Sequence, residues 1–157
     1  MTWFTTRASS RGSRETGEEF ADGMLQFAKE QTLTAAHFTA IGALQDAKLG
    51  WFNLDAKDYE QSDVREQVEV LSLVGNVAEH EGQPKIHAHV VLGRRDTSTC
   101  GGHLLQANVR PTLEVTVVKS PKHLHRRHDP QTGLPLIRPD QPDLPPRGGR
   151  PADAGVK

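Results

Sequence analysis

Along residues 16–31, TGEEFADGMLQFAKEQ, the apolar positions Phe20, Met24 and Phe27 recur at i, i+4 and i+7, the spacing of one helix face. Thr16 with Glu19 three residues later fits a capping box, and acidic residues fill the first turn, where the helix dipole favours negative charge. Such a stripe is read as a core face that covers a sheet. Beyond residue 34 the texture changes to short apolar segments broken by Gly, Asp and Asn. AAHFTAIGALQDAKLGWFNLD reads as two strands, 35–41 and 47–54, parted near Gly42. VEVLSLVGNVAEHEGQPKIHAHVVLG reads as two more, 67–78 and 85–92, joined by EHEGQP, whose Glu81-Gly82 and Pro84 supply turn chemistry. The short connection predicts antiparallel pairing. Residues 101–108, opened by a glycine pair, read as a loop, and TLEVTVVKS as a further strand. One helix followed by a run of strands predicts an α+β fold: a mainly antiparallel β-sheet with flanking helices.

Length and composition refine this into one domain with tails. At 157 residues the chain can bury one core but not two. Residues 1–14, rich in Ser, Thr and Arg without periodicity, are expected to be a flexible segment, and residues 15–138 the folded domain. Residues 139–157 hold five of the ten prolines and are expected to be a disordered Pro/Gly-rich tail. Residues 15–121 carry nine Lys/Arg against sixteen Asp/Glu, a net of −7, while the flanks carry ten against four, a net of +6. An acidic body repels phosphate backbones, so any contact with DNA is expected from the basic ends. No apolar run is long enough to span a bilayer and the N-terminus lacks the apolar segment of a secretory signal, which predicts a cytoplasmic protein without membrane contact. Cys100 is the sole cysteine, so a metal site would draw on histidine and carboxylate.

KIHAHVVLG then carries the candidate chemistry. Alternation along a strand puts His87 and His89 on one face and Ile86, Ala88, Val90 and Leu92 on the other. His103 follows Gly101-Gly102, and a glycine pair permits the close approach that would bring a third imidazole to the same place. Three histidines with a fourth position left open suit zinc, and nickel, copper and iron also accept imidazole. The competing reading is a polar cleft whose histidines are satisfied by carboxylates or backbone. Glu114, on the face opposite Leu113, Val115 and Val117, is the candidate to orient an imidazole or move protons on bound water; a solvated sheet-face glutamate is the plainer account. His37 is a candidate fourth pocket residue, and Cys100 a candidate soft ligand or nucleophile or else an incidental thiol. His123, His125 and His128, among Lys122, Arg126 and Arg127, form a basic surface patch that strengthens as imidazoles protonate. Trp51, Phe52 and Tyr59 offer apolar surface for assembly at a sheet edge. There is no GxGxxG after a strand, no Walker loop and no GxSxG elbow.

GEEF…LQFAKE, HFTAIGALQDAKLGWF, the HxH strand, GGHLLQANVRPTLEV and TGLPLI together resemble the PPC domain, the plants-and-prokaryotes-conserved domain, over residues 17–137. The resemblance implies a compact α+β domain, a homotrimer, and a metal site at His87, His89 and His103. In plants such domains are joined to AT-hooks in nuclear DNA-binding proteins; here PRGGRPA at 146–152 holds Gly149-Arg150-Pro151 with an extra glycine, a degenerate hook. Three functions follow as expectations: a trimeric binding or regulatory module holding zinc, another divalent metal or a small ligand; a hydrolase or lyase using metal-activated water; and a DNA binder acting through basic tails. The first is favoured, because the sequence offers a ligand set but no convincing base or substrate pocket.

Overall fold

A computed structural model describes residues 2–7, 17–120 and 125–138. The helical stripe forms α1, Phe20–Glu30, and Phe20, Met24 and Phe27 lie on its buried face together with Ala28. The cap differs from the expected box: Glu19 is itself the N-cap, one carboxylate oxygen accepting from the Asp22 N–H at 2.9 Å. Its other oxygen accepts from the Ala107 N–H at 3.1 Å, tying the helix start to the sheet. Thr16 lies outside the described residues.

The strands are β1 (Thr2–Arg7), β2 (Ala35–Asn53), β3 (Asp58–Val64), β4 (Val68–His80), β5 (Gln83–Gly93), β6 (Thr99–Lys119), β7 (His125–His128) and β8 (Pro135–Arg138). All join one sheet in the order β3-β2-β6-β5-β4-β7-β8, and β1 adds to β6. Because β2 also pairs with β4, the strands β2, β6, β5 and β4 close into a ring. Closure encloses Phe38, Leu44, Leu73, Leu92, Val109 and Leu113, and α1 covers them, Phe20 meeting Phe38 edge to face. The protein is therefore mainly β. Among the described residues one helix is present, not the flanking helices expected, because ring closure buries much of the sheet's apolar face against itself.

Three further expectations change for physical reasons. Residues 35–53 form one strand, not two: the alternation of buried positions runs through the even residues Ala36, Phe38 and Ala40, breaks at adjacent Ala43 and Leu44, and resumes on the odd residues Ala47 and Leu49. Register shifts against β6 around Gly42, Leu44 and Asp46 move the phase without ending the strand, and Gly42 takes φ +145 at the first of them. Residues 101–108 are strand rather than loop. A Cβ at Gly101 would stand 2.5 Å from the Val90 carbonyl oxygen, so the glycine serves close strand approach. Thr2–Arg7, expected without order, pairs antiparallel with β6. By contrast β4 and β5 pair antiparallel as expected, from Glu69↔Gly93 to His80↔Gln83. The tail at 139–157 lies outside the described residues.

Candidate metal centre

His87 and His89 project from β5 on the outer face of the ring, away from buried Ala88, Val90 and Leu92. On β6, His103 stands directly across from His89 in the strand register. What aims it outward is a bulge. Lys48 pairs with Gln106 and Leu49 with Leu104, so one residue of β2 is matched by two of β6 and Leu105 is extra. Without that shift His103 would share the inward phase of Ala107 and Val109.

The three rings converge. Their centroids lie 5.2 Å (His87–His89), 5.0 Å (His87–His103) and 5.3 Å (His89–His103) apart. One nitrogen from each lies within 4.8 Å of the others. Nitrogens around a tetrahedral zinc stand about 3.3 Å apart, given bonds of about 2.0–2.1 Å, so the rings would draw inward by side-chain rotation to share an ion. His103 Nδ1 is buried without a hydrogen-bond partner among the described residues. Such orphaned nitrogens are uncommon, and a coordinated ion would supply the missing partner.

The surroundings favour the neutral form of His87 and His103. Burial, and then His87, His89 and Arg126 nearby, push the His103 pKa down to about 4. Burial also lowers that of His87, assisted by Arg126, His89 and Lys85. Neutral imidazole is the metal-binding form. Tyr59 of β3 stacks on His103, ring centroids 4.6 Å apart and planes at 19°. Opposite His103, Gly50 makes room for that ring: a Cβ there would stand 2.7 Å from it.

Sequence reasoning missed two residues of this site. Tyr59 was expected only at an assembly surface. Arg126 was expected in a solvated basic patch, yet it is 9% exposed and lines a cleft of about 200 Å³ with His87 and His103. Its guanidinium donates to Asn76 Oδ1 of β4 and, at 2.9 Å, to the Pro135 carbonyl oxygen of β8. The polar string HRRH hides this role, since no alternation marks one of its members as buried. Of the remaining patch, His125 approaches Glu79 at 3.4 Å, Arg127 and His128 are exposed, and Lys122 and His123 lie outside the described residues.

Other candidates stay apart from the cluster. Glu114 is exposed, eleven residues further along β6 and paired with Ile41 and Thr5. His37 is exposed on β2, across from Asn76 and Val118. Cys100 packs against the core, opposite Leu92.

Comparison places the sequence and the fold among known proteins. The family model of the Plants and Prokaryotes Conserved domain matches residues 13–121. A metal-containing protein of Archaeoglobus fulgidus is 33% identical, over 88% of this chain and 94% of that one, with a TM-score of 0.75. A plant- and prokaryote-conserved protein of Pyrococcus horikoshii is 28% identical, covering 88% and 92%, at a TM-score of 0.77. A third structure, from Ralstonia eutropha and named as a candidate DNA-binding protein, is 27% identical, covering 91% and 90%, at 0.76. None of the curated proteins matches the sequence.

Proposed function

The chain belongs to the Plants and Prokaryotes Conserved domain family, and from that premise we propose that it is a homotrimeric binding module whose His87, His89 and His103 hold a divalent metal ion, zinc first among the choices. The observation that carries this is the convergence of three imidazoles from two paired strands, one with a buried nitrogen that lacks a partner among the described residues. The metal-containing relative supports it. Three protein ligands leave coordination open for a further ligand, the arrangement of sites that bind rather than merely brace. A hydrolytic or lyase reading is weaker, because Glu114 is exposed away from the cluster and no carboxylate lines the adjoining cleft among the described residues.

The test is elemental analysis of untagged protein beside a His87→Ala/His89→Ala variant of confirmed fold. About one zinc per chain, lost in the variant, is expected from a single site with three protein ligands. Folded wild type that neither carries nor takes up zinc rejects the metal assignment. The homotrimer rests on the family and on apolar side chains displayed outside the ring, among them Ile41, Val74 and Val91 at 60%, 51% and 43% exposure. Light scattering at micromolar concentration checks it, and a monomeric mass refutes it.

DNA association is a second reading, supported by the Ralstonia relative. It assigns contact to the basic tails, which a trimer would present three at a time. Deleting residues 139–157 should then abolish binding, and binding by the intact chain should weaken steeply with salt. Salt-insensitive binding by the truncated chain excludes the tail mechanism.

A further inference from the structure

Among the described residues Arg126 is a buried cation without a carboxylate partner. Its side chain is buried, its described partners are the neutral Asn76 amide and the Pro135 carbonyl, and its Nε–H has no partner among the described residues. A guanidinium stays protonated in a protein, and burying it away from carboxylates is costly. The cleft it lines contains no acidic side chain among the described residues; Lys85 adds a second cation at its edge. The opposite character comes from β8 and the turn before it, where Leu134, Pro135 and Leu136 form an apolar wall. A pocket lined by both cationic and apolar side chains selects an anion with an apolar body.

We propose that this cleft binds a small organic carboxylate, its head countering Arg126 and its body lying on Leu134, Pro135 and Leu136. A planar carboxylate matches the guanidinium fork, and each supplies what the other lacks when desolvated. The cleft volume of about 200 Å³ falls below the range typical of drug-sized ligands, which sets the scale at a compact acid of benzoate size. His87 and His103 also line the cleft, so the carboxylate site adjoins the metal centre. The site requires the guanidinium and not an ion, and it therefore stands or falls separately from the metal assignment.

Calorimetric titration of the full chain with benzoate and with benzamide, its neutral counterpart of similar shape, tests this. Both titrations are run on chelator-stripped protein and on protein reloaded with zinc, with zinc uptake counted independently. Stripped wild type should prefer benzoate by at least about ten-fold, and Arg126→Gln should erase that preference while benzamide binding is unchanged. Arg126→Lys should retain part of it. Leu134→Trp, which fills the apolar side, should weaken benzoate by at least about ten-fold with zinc uptake intact. Equal affinity for the two probes, no benzoate binding by wild type, or indifference to Leu134→Trp overturns the proposal. Arg126 also holds β8, so if Arg126→Gln unfolds, the wild-type preference and the Leu134→Trp result decide. Zinc uptake without benzoate preference rejects the carboxylate site and leaves the metal centre standing; the converse does the opposite.

Discussion

Replacing His103 with asparagine should flatten the acid side of the stability profile of the metal-free protein. In the folded chain burial, followed by His87, His89 and Arg126, lowers its pKa from 6.5 to about 4. Above pH 6.5 the imidazole is neutral whether the chain is folded or unfolded. As pH falls from 6.5 towards 4 the unfolded chain takes up a proton that the folded chain refuses, so stability contributed by the neutral ring is lost across this window and levels off below it. At about 1.4 kcal/mol per pKa unit the ceiling is roughly 3 kcal/mol. The ring is half-open to solvent, and screening reduces this to about 1–2 kcal/mol. The assay is urea unfolding of wild type and His103→Asn with chelator present, at pH 7.5 and 4.5 and equal protein concentration, since association shifts apparent stability. Groups other than the coupled histidines titrate in both proteins and cancel to first order. Wild type should lose about 1–2 kcal/mol more than the variant between the two conditions. An equal loss in the two proteins, or a greater one in the variant, refutes the reasoning.

Other substitutions probe the scaffold that carries the site. Phe38→Ala should destabilise by about 3–5 kcal/mol in thermal or urea unfolding, because Phe38 is 1% exposed at the centre of the ring and its loss leaves a cavity. Glu19→Ala removes both the α1 cap and the acceptor for Ala107 N–H, and should cost about 1–2 kcal/mol by the same measurement. Gly101→Ala must push β6 away from the Val90 carbonyl; zinc uptake should fall along with stability, whereas Gly82→Ala, at an open turn with nothing within 4 Å, should leave zinc uptake unchanged.

The helix face and the β4–β5 hairpin were legible because each rests on a local period. Phe20, Met24 and Phe27 share a face by helical geometry, and the Glu81-Gly82 turn sets two alternating segments side by side. Polar β3, DYEQSDV, left no comparable signal; it is held by pairing with β2, and only Val64 is buried. The glycine pair misled in kind rather than in importance. Close approach is what it provides, but from within a strand and not a loop: it lets β6 approach its neighbours, a constraint that exists only once those strands are adjacent.

For the site, the sequence by itself determined that His87 and His89 share a face, since two residues apart on a strand admit no other outcome. It also marked His103 as their companion, through the glycines and the family resemblance. Only the tertiary structure decided that His103 lies opposite His89, because strand register is a long-range property and the bulge at Leu105 reverses the phase that Ala107 and Val109 would otherwise impose. The same is true of Arg126 and Glu114. One is drawn from a polar tetrapeptide into the cleft by Asn76 and Pro135, and the other, on the same strand as His103, is carried away from it by the length of β6. Local periodicity fixes the face a side chain takes only within an unbroken stretch; bulges, and the residues that meet across that face, are set by pairings between segments far apart in the chain.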